Sequence, residues 1–205
     1  MVLALYYANP FRVSIPNRME KPARTALDRD AWIRGAIDVV ADDGMDGLRV
    51  EVLAKKLGVT KGSFYWHFKD RRDLIDAVLD AWKEGRIRDI RKQTAAEPGQ
   101  ELAALHHTID VYAAAKNRKG IAIEAAIRMW ARQDPVTAAV VEEVDATRLD
   151  CTRALFVALG LPEAEAKARS VLLYAYVFGF SMMQCGRFPM DAGKARRWIM
   201  ERITQ

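Results

Sequence analysis

The sequence predicts an all-α chain of about nine helices, and three observations lead there. Apolar residues recur at helical spacing through almost the whole chain, and no segment longer than a few residues alternates with period two. The periodic stretches are separated by compact turn signals: "DDG", "TAAEPGQ", "KNRKG", Asp134-Pro135, "GLP" and "GRFP". At 205 residues and 51% hydrophobic content the chain can fill a real core. The apolar stretch from Val171 to Cys185 is shorter than the roughly 20 residues a membrane-spanning helix needs, so it reads as a buried helix.

Residues 1–27, with Pro10, Pro16 and Pro22 and the basic Arg12, Arg18, Lys21 and Arg24, read as an arm without periodicity, Met19 being an alternative start of the chain. From Asp28 the pattern turns helical: Trp32, Ile33, Ala36, Ile37, Val39 and Val40 share a broad face that ends at Gly44. A second helix, Val50 to Leu57, points Val50, Leu53, Ala54 and Leu57 inward and stops at Gly58. A third, very short helix covers 61–67 with Thr60 as its cap, and a fourth runs from Arg71 through Leu74, Ile75, Val78, Leu79 and Trp82 towards Lys92. "TAAEPGQ" (94–100) is the best break in the chain, dividing a front domain, 28–92, from a second domain, 93–205. Further helices are expected at about 100–115, 119–133, 135–160, 163–185 and 189–203.

Net charge is +5, and its excess lies at the front. Between residues 49 and 72, Arg49, Lys55, Lys56, Lys61, Lys69, Arg71 and Arg72 face only Glu51 and Asp70, a balance suited to an anionic partner. Two helices joined at Gly58, with the small Ala54 allowing close approach, match a helix-turn-helix, whose second helix enters the major groove of double-stranded DNA. Phe64 and Phe68 are four apart and belong to the core, which leaves Lys61, Ser63, Tyr65, Trp66 and His67 around the outer side. Thr60, Ser63, Tyr65 and Arg71 suit phosphate contacts; Lys61 suits guanine O6 or N7; Trp66 and His67 suit thymine methyls or the backbone; and Gly62 lets the chain approach closely. The alternative is a basic surface hairpin with ordinary core aromatics.

The stretch from "DRDAWIRGAIDVV" to "GVTKGSFYWHFKDRRDL" and on to Trp82 resembles the amino-terminal domain of the TetR family of transcriptional regulators. That resemblance implies a three-helix DNA-binding domain followed by a helical effector-binding and dimerisation domain, a homodimer on a palindromic operator, and a small-molecule effector. By position it implies DNA contacts from Lys61, Gly62, Ser63, Tyr65, Trp66 and His67, with Arg71 where the family usually carries a phosphate-binding lysine. Two departures stand out. Leu48 and Arg49 occupy the start of the second helix where a hydroxyl cap is usual, which makes Arg49 the phosphate-binding group expected there, and Glu51 stands where arginine is common.

In the second domain the helix at 163–185 is apolar nearly all round and has to be covered on both sides. The resemblance implies that one side meets a partner subunit and the other lines the effector pocket. The last helix, with Ala192, Ala195, Ile199 and Ile203 on one stripe and Trp198 beside it, would join that four-helix interface. Candidates for the pocket are His106, Tyr112, Trp130, Tyr174, Phe178 and Met182, with Glu124 and Arg128 as an i,i+4 pair that either orients a ligand or forms a surface ion pair. Adjacent His106 and His107 point in different directions, so no metal site and no cofactor are expected. Cys151 and Cys185 show no metal or redox spacing, and a cytoplasmic protein with two reduced thiols is expected. Two competing functions stay open: an effector-independent architectural or cell-division factor, and an enzyme built on Cys151 with His106 or His107.

Overall fold

Asp28 starts the first helix by accepting a 2.7 Å hydrogen bond from the Ala31 amide, and Gly44 ends it at φ 72°, a conformation that side chains with a Cβ resist. The computed structural model describes residues 27–113 and 118–205; the arm up to residue 26, with Arg12, Arg18, Lys21 and Arg24, lies outside the described residues. Among these residues the chain is entirely helical: α1 (Arg29–Asp43), a 3₁₀ turn (Met45–Gly47), α2 (Val50–Lys56), α3 (Lys61–Phe64), α4 (Arg71–Thr94), α5 (Glu101–Ala113), α6 (Arg118–Ala131), α7 (Pro135–Ala158), α8 (Glu163–Met182) and α9 (Ala192–Thr204).

Trp32, Ala36, Val39 and Val40 of α1 pack with Leu53 and Ala54 of α2, Phe64 and Phe68 around α3, and Leu74, Ile75, Val78 and Leu79 of α4. Close contact of α1 with α2 needs Gly35, where a Cβ would lie 2.8 Å from Leu57 Cδ2. Gly58, at φ 68°, turns the chain from α2 towards α3. Thr60 stands at the cap position of α3, but its side chain makes no capping bond, and the helix is a single turn rather than the 61–67 expected. Hydrogen bonds from the His67 and Phe68 amides to Phe64 O carry the chain on as a tight turn.

The break at residues 95–100 falls between α4 and α5, yet the apolar core does not stop there. Ile127 of α6 and Val141 and Val144 of α7 belong to the same buried cluster as Trp32 and Phe64. A second cluster joins Leu105, Ile109 and Tyr112 of α5 to Phe156 of α7, Leu173, Tyr174 and Val177 of α8, and Ile203 of α9. α8 is not covered on both sides, because Val171, Leu172, Met182 and Met183 stay exposed. In α9 the predicted stripe turns towards its own chain: Ile203 is buried and Ile199 packs on the second cluster, while Trp198 points outward. None of the described helices is long and apolar enough to cross a membrane.

Asp134 caps α7 through the Thr137 amide and also receives Arg72 Nη1 of α4 at 2.9 Å. The Arg72 hydrogen bond, with that of Thr137, brings its carboxyl from 3.8 down to about 2. A depressed folded-state value means this stabilisation is present above pH about 4 and fades as pH falls towards 2. The stability gap between wild type and Asp134→Asn, measured by urea denaturation, is expected at neutral pH and should close through that acid window. A gap unchanged at low pH would assign it to capping alone.

Candidate functional site

The one-turn α3 is too short to be stable by itself, so its position comes from the rings at its end. Phe64 meets Trp32 edge-on at 5.5 Å and stacks on Phe68 at 5.3 Å. Arg29 lies 4.3 Å over Phe68 and donates to the carbonyl of His67 and the carboxylate of Asp73. These contacts fix the inner side, and the outer side is left to solvent: Tyr65 is 54% and Trp66 82% exposed, with Thr60, Lys61 and Gly62 beside them. Ser63 and His67 are half-buried, and the Ser63 hydroxyl donates to Thr60 O at 2.8 Å.

Two predicted residues have partners that the sequence does not announce. The Lys61 ammonium is hydrogen-bonded to Glu51, tying the start of α2 to the start of α3. That bond lowers the Glu51 carboxyl below its ordinary value and raises the Lys61 amine, with exposed Arg49 also lowering Glu51. Arg71 is half-buried and turned inward, donating to Leu48 O at 2.7 Å and Met45 O at 3.0 Å, with its guanidinium 5.7 Å from the Trp130 ring. It caps the carbonyls of the turn before α2, adding to the Leu48 amide's bond at Met45 O, and so holds the helix-turn-helix against α6. Arg49, Thr60, Lys61, Gly62, Tyr65 and Trp66 form the exposed surface.

The second domain gathers some of the ligand candidates and scatters others. Tyr112, Glu124, Arg128, Phe178 and Met182 line a nearly filled cavity of about 10 Å³. Arg128 and Phe178 separate it from an open cleft of about 260 Å³ between α7 and α8, where Tyr174 also lies. Trp130 is elsewhere, beneath Arg71, and His106 rests 3.4 Å from Thr204 Oγ1 of α9. Glu124 and Arg128 are no surface pair. Glu124 is buried, accepts from Arg128 Nε at 2.9 Å, and takes both Nη atoms of Arg148 at 2.9 and 2.7 Å. Asp145 receives Arg128 at 2.7 and 2.5 Å and Arg148 at 2.8 Å, and Arg86 approaches Glu124 to 4.0 Å.

Burial works against the charge on Arg128 and Arg148, but the Asp145 and Glu124 carboxylates outweigh it and hold both groups above their ordinary values. Burial likewise pushes up the Asp145 carboxyl, and the guanidinium of Arg128 brings it below the usual range. Arg86, Asp145 and Arg148 are absent from the sequence-based list. The available signal was Arg148 itself, a cation on the apolar stripe Val141, Val144, Thr152, Leu155 of α7.

Comparison with known proteins bears on both halves. Residues 33–78 match the family model described as bacterial regulatory proteins, tetR family. The tetracycline repressor protein class C of Escherichia coli is 47% identical over 55 residues, covering 27% of this chain and 25% of that repressor. The HTH-type transcriptional repressor KstR2 of Mycolicibacterium smegmatis is 32% identical over 89 residues, covering 42% of this chain and 43% of its own length. The matched regions thus span less than half of these relatives. A transcriptional regulator from Rhodococcus sp. Rha1 has a similar fold at a TM-score of 0.69, with 20% identity over 87% of this chain and 94% of that one. Residues 33–78 thus carry the segment that the tetR family model describes, and the chain shares the fold of that regulator along most of its length.

Proposed function

We propose that the chain is a transcriptional repressor that binds a palindromic DNA operator as a homodimer and is released by a small-molecule effector. The observation that carries this reading is the division of α3 and the turn that follows it: Phe64 and Phe68 are buried while Lys61, Tyr65 and Trp66, like Arg49, are exposed. In a dimer, two such helices enter successive major grooves about 34–36 Å apart. The exposed apolar side groups Val171, Leu172, Met182, Met183 and Trp198 on α8 and α9 supply a surface for the second copy. The open cleft favours a ligand-responsive protein over an architectural factor with a fully packed second domain. α4 transmits the effector signal, since its Arg71 and Arg72 hold Trp130 of α6 and Asp134 at the start of α7. A coupling of about 1–3 kcal/mol would weaken DNA binding roughly 5- to 150-fold.

The test is selection of an operator from random duplexes, followed by variant titrations at several salt concentrations. Tyr65→Phe is expected to weaken all sequences alike, by roughly 2- to 12-fold for one lost hydrogen bond. Lys61→Ala should relax preference at one base position, and Glu51→Gln should strengthen binding and steepen the salt slope by about one counterion as Lys61 is freed. A chain that selects no sequence, or whose affinity ignores salt, is no such repressor.

A further inference from the structure

The buried charge cluster beside the cleft has an unbalanced composition. Three guanidinium groups, Arg86, Arg128 and Arg148, share two carboxylates, Glu124 and Asp145, which leaves one positive charge without a counter-ion in the group. Two of its donors are also unused: Nε of Arg86 and Nε of Arg148 are buried with no hydrogen-bond acceptor among the described residues. Buried cations and buried N–H groups both call for an acceptor. Apart from Tyr174, the cleft that Arg128, Asp145 and Arg148 line is apolar, walled by Leu149, Val171 and Phe178, and its 260 Å³ lies just under the ~300–1,000 Å³ of most small-molecule sites.

Asp145 identifies the chemistry that fits. Its side chain is 33% exposed, and its carboxylate is already gripped in the forked manner by Arg128, 24% exposed, with a single further bond from Arg148. We infer that the second domain takes an apolar acid carrying one anionic group, whose carboxylate binds Arg128 and Arg148 in competition with Asp145 while its hydrocarbon body fills the α7–α8 cleft. Planar bidentate donors favour carboxylate over a neutral oxygen. Displacing Asp145 frees α7 from Arg128 of α6, the two helices that Arg71 and Arg72 bind, so occupancy is connected to the position of α3. The inference rests on the effector reading above and names the class of ligand.

Calorimetric titration of the full chain with 2-naphthoate and octanoate, each against its own amide, tests it. At least one acid is expected to bind about tenfold or more tightly than its amide, the worth of one charge-assisted hydrogen bond. Arg128→Gln should erase that preference and Arg128→Lys retain part of it. Asp145→Asn should strengthen the acid several-fold and leave the amide unchanged, a gain that loss of structure cannot produce. No binding by either acid, as when a partner subunit fills the cleft, overturns the inference. So do equal affinities of acid and amide, or an acid affinity that Asp145→Asn leaves unaltered. Addition of the acids to the protein on its selected operator separates the two readings. Selective binding without release of DNA keeps the anion site and removes the effector role, whereas release by the amides as readily as by the acids keeps the role and removes the anion site.

Discussion

Replacing Arg148 with methionine is expected to destabilise the protein by about 3–5 kcal/mol, because it strands the carboxylate of Glu124. Arg148 is 1% exposed and its side chain supplies two of the three hydrogen bonds to Glu124, itself 6% exposed. Arg128 continues to donate to Glu124 Oε1, which places the loss at the lower end of that range. The same substitution paired with Glu124→Met should recover part of it, since the stranded carboxylate is gone, although Arg86 then loses its nearest carboxylate. Urea denaturation of the two single variants and the double variant closes the cycle. A loss below about 1 kcal/mol for Arg148→Met would mean that the pair behaves as a solvated one.

Phe64→Ala is expected to cost about 3–5 kcal/mol, the range for truncating a buried aromatic ring. Its functional effect should exceed its thermodynamic one. Phe64 makes the contacts to Trp32 and Phe68 that seat α3, and a single turn keeps no geometry of its own. At a temperature where circular dichroism still reports native helix content, DNA affinity measured by fluorescence anisotropy should fall at least as far as for removal of every outward contact tested singly. Trp66→Ala, at the 82%-exposed position two residues on, should change stability by no more than about 0.5 kcal/mol. Native-like DNA binding by a folded Phe64→Ala protein would show that the outer residues are held by something other than that ring.

The helices and their order were legible from local signals: periodic apolar faces, Asp28 and Asp134-Pro135 at the starts of α1 and α7, and Gly44 and Gly58 at the ends of α1 and α2. The inward turn of Phe64 and Phe68 was legible for the same local reason. What escaped reading depends on contacts between elements. Arg71 reads as a phosphate ligand because its acceptors, the carbonyls of Met45 and Leu48, are backbone atoms that leave no mark in the sequence. Lys61 reads as free because Glu51, ten residues earlier, reaches it only once α2 and α3 are folded together. Spacing shows that Glu124 and Arg128 touch but not how deep they lie; Arg148, on another helix, decides that. Trp130 and His106 look like pocket groups by residue type, and tertiary packing sends Trp130 to Arg71 and a separate cavity beside Met45, and His106 to Thr204. Hydrophobicity alone says that α8 needs cover on both sides but not that the cover comes from the same molecule; the resemblance assigned one side to a partner, and in the single chain Val171, Leu172 and Met182 are exposed.

The apolar cluster that runs from Trp32 through Ile127 to Val144 limits how this protein can be recombined with its kin. A hybrid spliced in the loop at residues 95–100 would set foreign helices against an amino-terminal bundle whose underside is shaped for α6 and α7 of this chain. Exchange of the carboxy-terminal helices therefore has to carry matching residues at 127, 141 and 144, or tolerate a seam of poorly fitted side chains.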